Sequence, residues 1–541
     1  MRIPCYSWTP RVMPRIVTCL LISLLAWFPM AVQAQEDDGQ ALLEALDTRS
    51  FDDKSDAITA IIESEHERAD VWLQALLDSD LQRLKDSGRF VIALETAGLD
   101  VTVEDAMTGE AIGEVSRRDL DRLTINNALR SQLRSAISLV ELYNGEQDAR
   151  LDAARRLIGN VEEEQVEPLT NRMAEEPSAA VRHRLNQALA VYRLNQGDVE
   201  AVEVLSGSLN SNVRVALNRA TQSEDPLVVD AATTALADIE QNLKINRAAE
   251  TLYFGLSMGS VLVLAAIGLA ITFGVMGVIN MAHGELIMLG AYTTWAMQQL
   301  LPGQPGLALI LAIPAGFMVS ALVGVAIERG VIQFLKGRPL ETLLATFGIS
   351  LILQQLVRTV ISPLNRTVIT PEWMSGSLVV NDALSLTLNR MYVLGFALVV
   401  FAGLILIMRH TRLGLEVRAV TQNRNMARSM GIRATRVDIM TFALGSGVAG
   451  LAGVALSQLT NVGPNLGQNY IIDSFMVVVF GGVGNLWGTL VAGMSLGIIN
   501  QVLEPWAGAV LAKIIVLVFI ILFIQKRPRG LFPQKGRAAE G

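Results

Sequence analysis

From Thr251 to Phe532 the chain is a succession of apolar runs, each about as long as a bilayer is thick. Residues 35–250 are instead polar and read as mainly amphipathic helices. The runs cover residues 253–275, 285–301, 306–328, 340–361, 390–408 and 438–460. A last region, 471–525, accommodates either one re-entrant element plus a crossing or three short crossings. The pattern predicts an all-α architecture, a polytopic membrane helix bundle preceded by a mainly helical N-terminal domain. Its divisions are residues 1–34, 35–250 and 251–541.

The first division has the form of an export signal. Arg2, Arg11 and Arg15 precede an apolar core from Ile16 to Phe28, and Ala31-Val-Gln-Ala34 supplies small residues before a break. Cleavage is expected after Ala34. A retained anchor helix and a lipoprotein are the competing readings, the second weakened because Thr18 precedes Cys19 inside the apolar core. Both cysteines, Cys5 and Cys19, fall in this leader, so a cleaved chain would carry no thiol for disulfides, nucleophilic catalysis or metal binding. The four histidines, His66, His183, His283 and His410, share no HxxxH or HxH spacing, and no metal site is expected.

Within the second division, segments beginning at Arg150, Val181, Val213 and Val228 suggest a degenerate repeat of short paired helices. Such pairs bury their apolar sides by stacking, as in HEAT-like solenoids; an irregular helical bundle fits nearly as well. Phe90-Val-Ile-Ala-Leu-Glu95 and Val101-Thr-Val-Glu104, with Gly98 and Gly109 at turns, read as a small strand insertion. His66, His183 and the run Glu162-Glu-Glu164 read as solvated faces.

Charge sets the orientation. Residues 35–250 carry 22 Lys and Arg against 42 Asp and Glu, an excess that repels nucleic acid, while residues 251–541 carry 19 against 10. The basic excess lies in short loops: Lys336 and Arg338, Lys526 to Arg529, and the series Arg409, Arg412, Arg418, Arg424, Arg428, Arg433 and Arg436. Those loops are expected inside the cell, and the basic-poor segment from Ser362 to Asn389 outside. An exported N-terminal domain with an internal C-terminus requires an odd number of crossings, seven or nine.

Glycines recur at Gly445, Gly447, Gly450 and Gly453, then at Gly481, Gly482, Gly484 and Gly488. Spacings such as Gly445, Ala449 and Gly453 let helix backbones approach closely, so packing is their expected role. The second group misses the GxGxxG spacing of a dinucleotide loop. A polar break, Asn280-Met-Ala-His-Gly-Glu285, separates two apolar runs and marks a helix that stops and restarts within the bundle. Its His283 and Glu285 lie near a helix start, where capping of backbone N–H groups is expected in preference to proton relay.

The stretch from Phe273 to Tyr292 resembles the signature of permeases in branched-chain amino-acid and urea ABC importers, and is closest to the urea branch. Thr411-Arg-Leu-Gly-Leu-Glu-Val-Arg-Ala419, with Ala427 and Gly431, resembles that family's cytoplasmic ATPase-coupling segment, at about residues 409–437. Gly481-Gly-Val-Gly-Asn-Leu-Trp-Gly488 and Arg527-Pro-Arg-Gly-Leu-Phe532 are similar to further family patterns. The likeness covers nearly all of 251–535. It implies a multi-pass permease of a bacterial inner membrane, with a periplasmic N-terminal domain and a cytoplasmic C-terminus. It also implies a second permease, two ABC ATPases and a periplasmic substrate-binding protein as partners, with Arg412, Gly414, Glu416, Arg418, Ala419 and Gly431 on the coupling surface. ATP is used by those ATPases; the chain has no GxxxxGK[ST] and binds no cofactor directly. The long N-terminal domain favours urea as cargo, with branched-chain or other amino acids as the alternative. Candidate pathway residues for a small polar cargo are Asn280, Gln354, Gln355, Gln458, Asn485 and Asn500.

Two other classes fit less well. A receptor with an extracytoplasmic helical domain calls for an internal signalling domain, and the longest internal loop has only about thirty residues. An intramembrane hydrolase calls for an activated nucleophile, but Ser446 lacks a GxSG or GxSxG frame and no histidine follows His410.

Overall fold

The computed structural model describes residues 39–532, apart from Glu65, Glu67, Gly98 and Leu99. The expected leader, its cleavage point at Ala34 and both cysteines lie outside the described residues. Contacts divide the chain into two compact units meeting between Gln241 and Asn242.

The first unit corrects the all-α expectation. Helices α1 (Phe51–Glu63) and α2 (Ala69–Asp78) precede strands β1 (Leu81–Leu84), β2 (Phe90–Ala97), β3 (Asp100–Asp105), β4 (Ala111–Ser116) and β5 (Leu120–Arg122). These form one antiparallel sheet in the order β4-β3-β2-β1-β5. The expected insertion is its β2–β3 hairpin. The outer strands escape notice because β1, Leu81-Gln-Arg-Leu84, and β5, Leu120-Asp-Arg122, are too short and polar to show alternation. Helices α3 (Asn127–Asn144), α4 (Gln147–Leu157), α5 (Val166–Glu175), α6 (Ala179–Asn195), α7 (Glu200–Leu205) and α8 (Ser211–Ala220) follow. The segments singled out as repeat starts fall in α4, α6 and α8 and at the beginning of α9 (Pro226–Met276).

Between α5 and α6 the buried Glu176 carboxylate accepts from Arg150 Nε and Nη2 at 3.2 and 3.1 Å, Arg172 Nη2 at 2.6 Å and Ser178 N at 3.1 Å. Burial opposes its charge, but these partners together hold the carboxyl below its usual range.

The second unit continues through the apolar part of α9. After it come α10 (His283–Leu300), α11 (Pro305–Gly330), α12 (Pro339–Val360), a ribbon of β6 (Ser377–Asn381) and β7 (Leu384–Thr387), and α13 (Leu388–His410). Two short helices, α14 (Arg412–Gln422) and α15 (Arg424–Ser429), lead into α16 (Ala434–Leu456), α17 (Leu466–Gly481), α18 (Leu486–Ala507) and α19 (Ala509–Lys526). Seven of these helices are long and apolar enough to cross a membrane: α9, α11, α12, α13, α16, α18 and α19. The run 285–301 becomes α10, which is not among them, because His283, Glu285, Gln298 and Gln299 lower its hydropathy.

Among the described residues the backbone nevertheless passes between the two ends of the bundle nine times. Tyr253 donates to Thr387 O beside the ribbon, whereas Val275 lines a cavity with α14 residues at the other face. Between Val275 and Gln298, which bonds Ile369 of the ribbon-side loop, only residues 277–282 and α10 carry the chain across. Val462 pairs with Arg366 on the ribbon face and Gly484 lines the α14 cavity, so α17 makes a second short passage. Region 471–525 is thus one short helix followed by two full spans.

Glycine positions hold the bundle together. Gly445 of α16 meets Gly268 of α9, Gly450 meets Gly290 of α10 and Gly316 of α11, and Gly453 meets the Ile287 carbonyl. At each, a β-carbon would overlap neighbouring backbone, so the expected packing role is seen.

Two outcomes follow from these contacts. Gly450→Leu is expected to destabilise the detergent-solubilised protein by roughly 1–3 kcal/mol, read as a lowered melting temperature, while Gly395→Ala, whose β-carbon meets nothing and which removes a glycine from a helix interior, does not lower it. For Glu176 the folded pKa lies below the unfolded value. Its stabilisation is therefore full above the usual carboxylate range and is lost as pH falls through the depressed folded value; Glu176→Gln should flatten that acid limb of the stability profile.

Candidate functional site

The segment joining α13 to α16 is built by local capping. Thr411 Oγ1 accepts from Gly414 N at 3.4 Å to start α14, and Asn423 Oδ1 accepts from Met426 N at 3.0 Å to start α15. Gly414 lies directly on the Met408 backbone, leaving no room for a side chain, and Arg418 Nη1 donates to Met408 O at 2.8 Å. Gly431, at φ +87°, makes the left-handed turn into α16. Val417, Val420 and Ala427 face inward onto Ala434 and Val437 of α16. Arg412 is exposed, Glu416 and Ala419 are half-buried, and Leu415, Met426 and Met430 stand out with 61, 61 and 77 % of their surface uncovered.

An ion quartet fixes this segment to the bundle. Lys336 Nζ reaches Glu328 Oε1 of α11 at 2.9 Å and Asp438 Oδ2 of α16 at 2.8 Å, and Arg424 of α15 pairs with the same Asp438 oxygen. Both carboxylates are fully buried. Two negative charges meet two positive ones, and α15 contributes one of the four.

The polar break lies within the bundle, as its pattern predicts. Gly277, at φ +67°, ends α9, and α10 resumes at His283. His283 Nε2 lies 2.9 Å from Ala265 O, eleven residues before the end of α9, which corresponds to about 16 Å along the helix, or half the thickness of a hydrocarbon core. The capping expectation for His283 and Glu285 is corrected. No side chain caps α10; Asn280 Oδ1 instead accepts from Ala282 N at 3.0 Å within the break. Glu285 Oε1 accepts from Ser350 Oγ at 2.9 Å and Gln354 Nε2 at 2.7 Å, joining α10 to α12, and Gly284 packs on the Gly467 backbone of α17. His283 Nδ1, Glu285 Oε2 and Asn280 Nδ2 have no partner although all three are buried.

The six pathway candidates do not converge. Gln354 joins the Glu285 cluster, whereas Gln355, one position on, is exposed on the outer side of α12 and reaches Thr359. Gln458 lines an apolar cavity of about 410 Å³ with Trp373 and Tyr392. Asn485 caps α18 through Gly488 N, donates to Phe532 O and borders a 620 Å³ cavity with Arg409 and Arg418. Asn500 is buried in α18. Sequence reasoning missed Glu328, Asp438, Asp473 and Lys513. Their signal was a charge inside an apolar run, which asks for a partner even when that partner is distant in sequence.

The model of the branched-chain amino acid transport system permease component family matches residues 251–524. The chain belongs to that family. The high-affinity branched-chain amino acid transport system permease protein LivH of Escherichia coli is 28% identical over 292 residues, covering 52% of this chain and 94% of that protein. The corresponding protein BraD of Pseudomonas aeruginosa is 29% identical over 287 residues, covering 51% and 93%. The ribose import permease protein RbsC of Escherichia coli is 26% identical over 279 residues, covering 49% and 82%. No solved structure matches significantly. As a member of this permease family, the chain is a multi-pass membrane protein and a transport component.

The quartet gives a direct test. Lys336→Met leaves two buried carboxylates short of a cation and is expected to cost about 3–5 kcal/mol in thermal unfolding of the solubilised permease. Adding Glu328→Gln to Lys336→Met leaves Asp438 paired with Arg424 alone and should recover most of that loss.

Proposed function

We propose that this permease is the membrane-spanning subunit of an ATP-driven importer of branched-chain amino acids, with its α14–α15 face toward the cytoplasm. The observation that carries the reading is the joining segment: it leaves Leu415, Met426 and Met430 uncovered while the buried quartet ties its Arg424 to α16. An apolar patch ringed by arginines suits docking on a soluble ATPase, and a rigid tie suits transmission of that subunit's movement. Arg409, Arg412, Arg418, Arg428 and Lys526 gather at this face, in keeping with an internal position. The two ATPases, a second permease and a soluble binding protein follow from the importer reading, as does a binding-protein dock or entrance shield for the N-terminal unit.

Amino acids replace urea as the preferred cargo. The urea expectation rested on the long N-terminal segment, whereas LivH and BraD carry branched-chain amino acids in their names and match the membrane half nearly end to end. Proteoliposomes holding the complete transporter should accumulate labelled leucine on ATP addition and exclude labelled urea; urea uptake without leucine uptake would overturn the assignment. Gly414→Leu, which collides with the Met408 backbone, is expected to abolish ATP-dependent uptake.

A further inference from the structure

A second charged arrangement lies at the ribbon face, far from the joining segment. Lys513 Nζ of α19 pairs with Asp473 Oδ2 of α17 at 2.9 Å. The carboxylate is 4 % exposed and the lysine 46 %, so the anion is fixed while the cation faces open space. Both sit in apolar helices, and α19 is otherwise one of the most uniformly apolar spans. A charged pair within such helices is costly to keep for packing alone, because an apolar pair of similar volume would serve as well or better.

The pair borders a cavity of about 430 Å³, within the range of small-molecule sites. Asn365, Asn461 and Asn469 bring amide groups to its rim, and Met258 and Leu466 give it apolar wall. Asn365 comes from the ribbon-side loop, so the cavity opens where that loop lies.

We infer that the Asp473–Lys513 pair and its cavity form a recognition site for the zwitterionic head of an α-amino acid on its way into the bundle. The lysine ammonium offers its remaining N–H donors to the substrate carboxylate, and the Asp473 carboxylate with the amide oxygens accepts from the substrate ammonium. Met258 and Leu466 receive an aliphatic side chain. A neutral amide such as urea has no use for two opposite charges held side by side. The site rests on the amino-acid reading above and adds to it the residues that read the cargo's charges.

The test uses the chain assembled with its permease and ATPase partners in nanodiscs. Binding of labelled leucine is competed by leucinamide, which lacks the carboxylate, and by 4-methylpentanoate, which lacks the ammonium. Lys513→Met is expected to weaken 4-methylpentanoate at least about tenfold more than leucinamide, and Asp473→Asn to do the reverse. Equal weakening of both competitors would mean that the pair is structural and would overturn the site. The double variant Asp473→Asn/Lys513→Met leaves no unpaired charge; it should fold with an unchanged melting temperature yet bind leucine at least about tenfold more weakly. Normal leucine binding by that variant overturns the site alone, whereas a wild type that binds labelled urea and not leucine overturns the cargo assignment and the site together.

Discussion

Backbone-to-backbone contact at glycine is the constraint on which the membrane unit depends. Lipid tails solvate apolar side chains as well as neighbouring helices do, so helices in a bilayer gain little by hiding leucine and must gain by fitting closely. Gly445 brings α16 onto α9, Gly450 onto α10 and α11, and Gly453 onto α10, and Gly284 and Gly467 join the two short passages. That closeness permits α10 to begin half-way through the bundle. A helix start exposes N–H groups that lipid cannot satisfy, and here the surrounding helices and Asn280 enclose it.

Much of this was legible in the sequence because it is local. Long apolar runs, a polar interruption at Asn280–Glu285 and arginine-rich joins each declare themselves within a short continuous stretch of chain. The count of crossings was ambiguous because region 471–525 reads as one re-entrant element plus a crossing or as three short crossings, and its first helix, α17, has only 16 residues. What remained hidden depends on partners far apart in the chain. Lys336 and Asp438 are 102 positions apart and Asp473 and Lys513 are 40 apart, so no window of sequence shows either pair. The same holds for Glu285, which reads as a helix cap beside its own helix start but is claimed by Ser350 and Gln354 of α12. Short strands such as β5 are invisible for another reason, since three residues carry no periodicity.

The two charged arrangements differ in a way that fits different duties. Around Asp438 every charge has an opposite within reach and both carboxylates are sealed from solvent, which suits a rigid joint between the joining segment and the spans. At Lys513 the cation stands nearly half uncovered beside open volume, which suits exchange with something that arrives and leaves.

The quartet also limits how this protein can drift. Because Glu328 and Asp438 share Lys336, and Asp438 also holds Arg424, neutralising either base alone leaves sealed carboxylates short of a cation, whereas neutralising either acid alone leaves only partly exposed cations in excess. Divergence at these positions must therefore run in one order, with an acid lost before its base. Among descendants of this chain, intermediates that keep both bases and one acid should survive, and those that keep both acids and one base should be few.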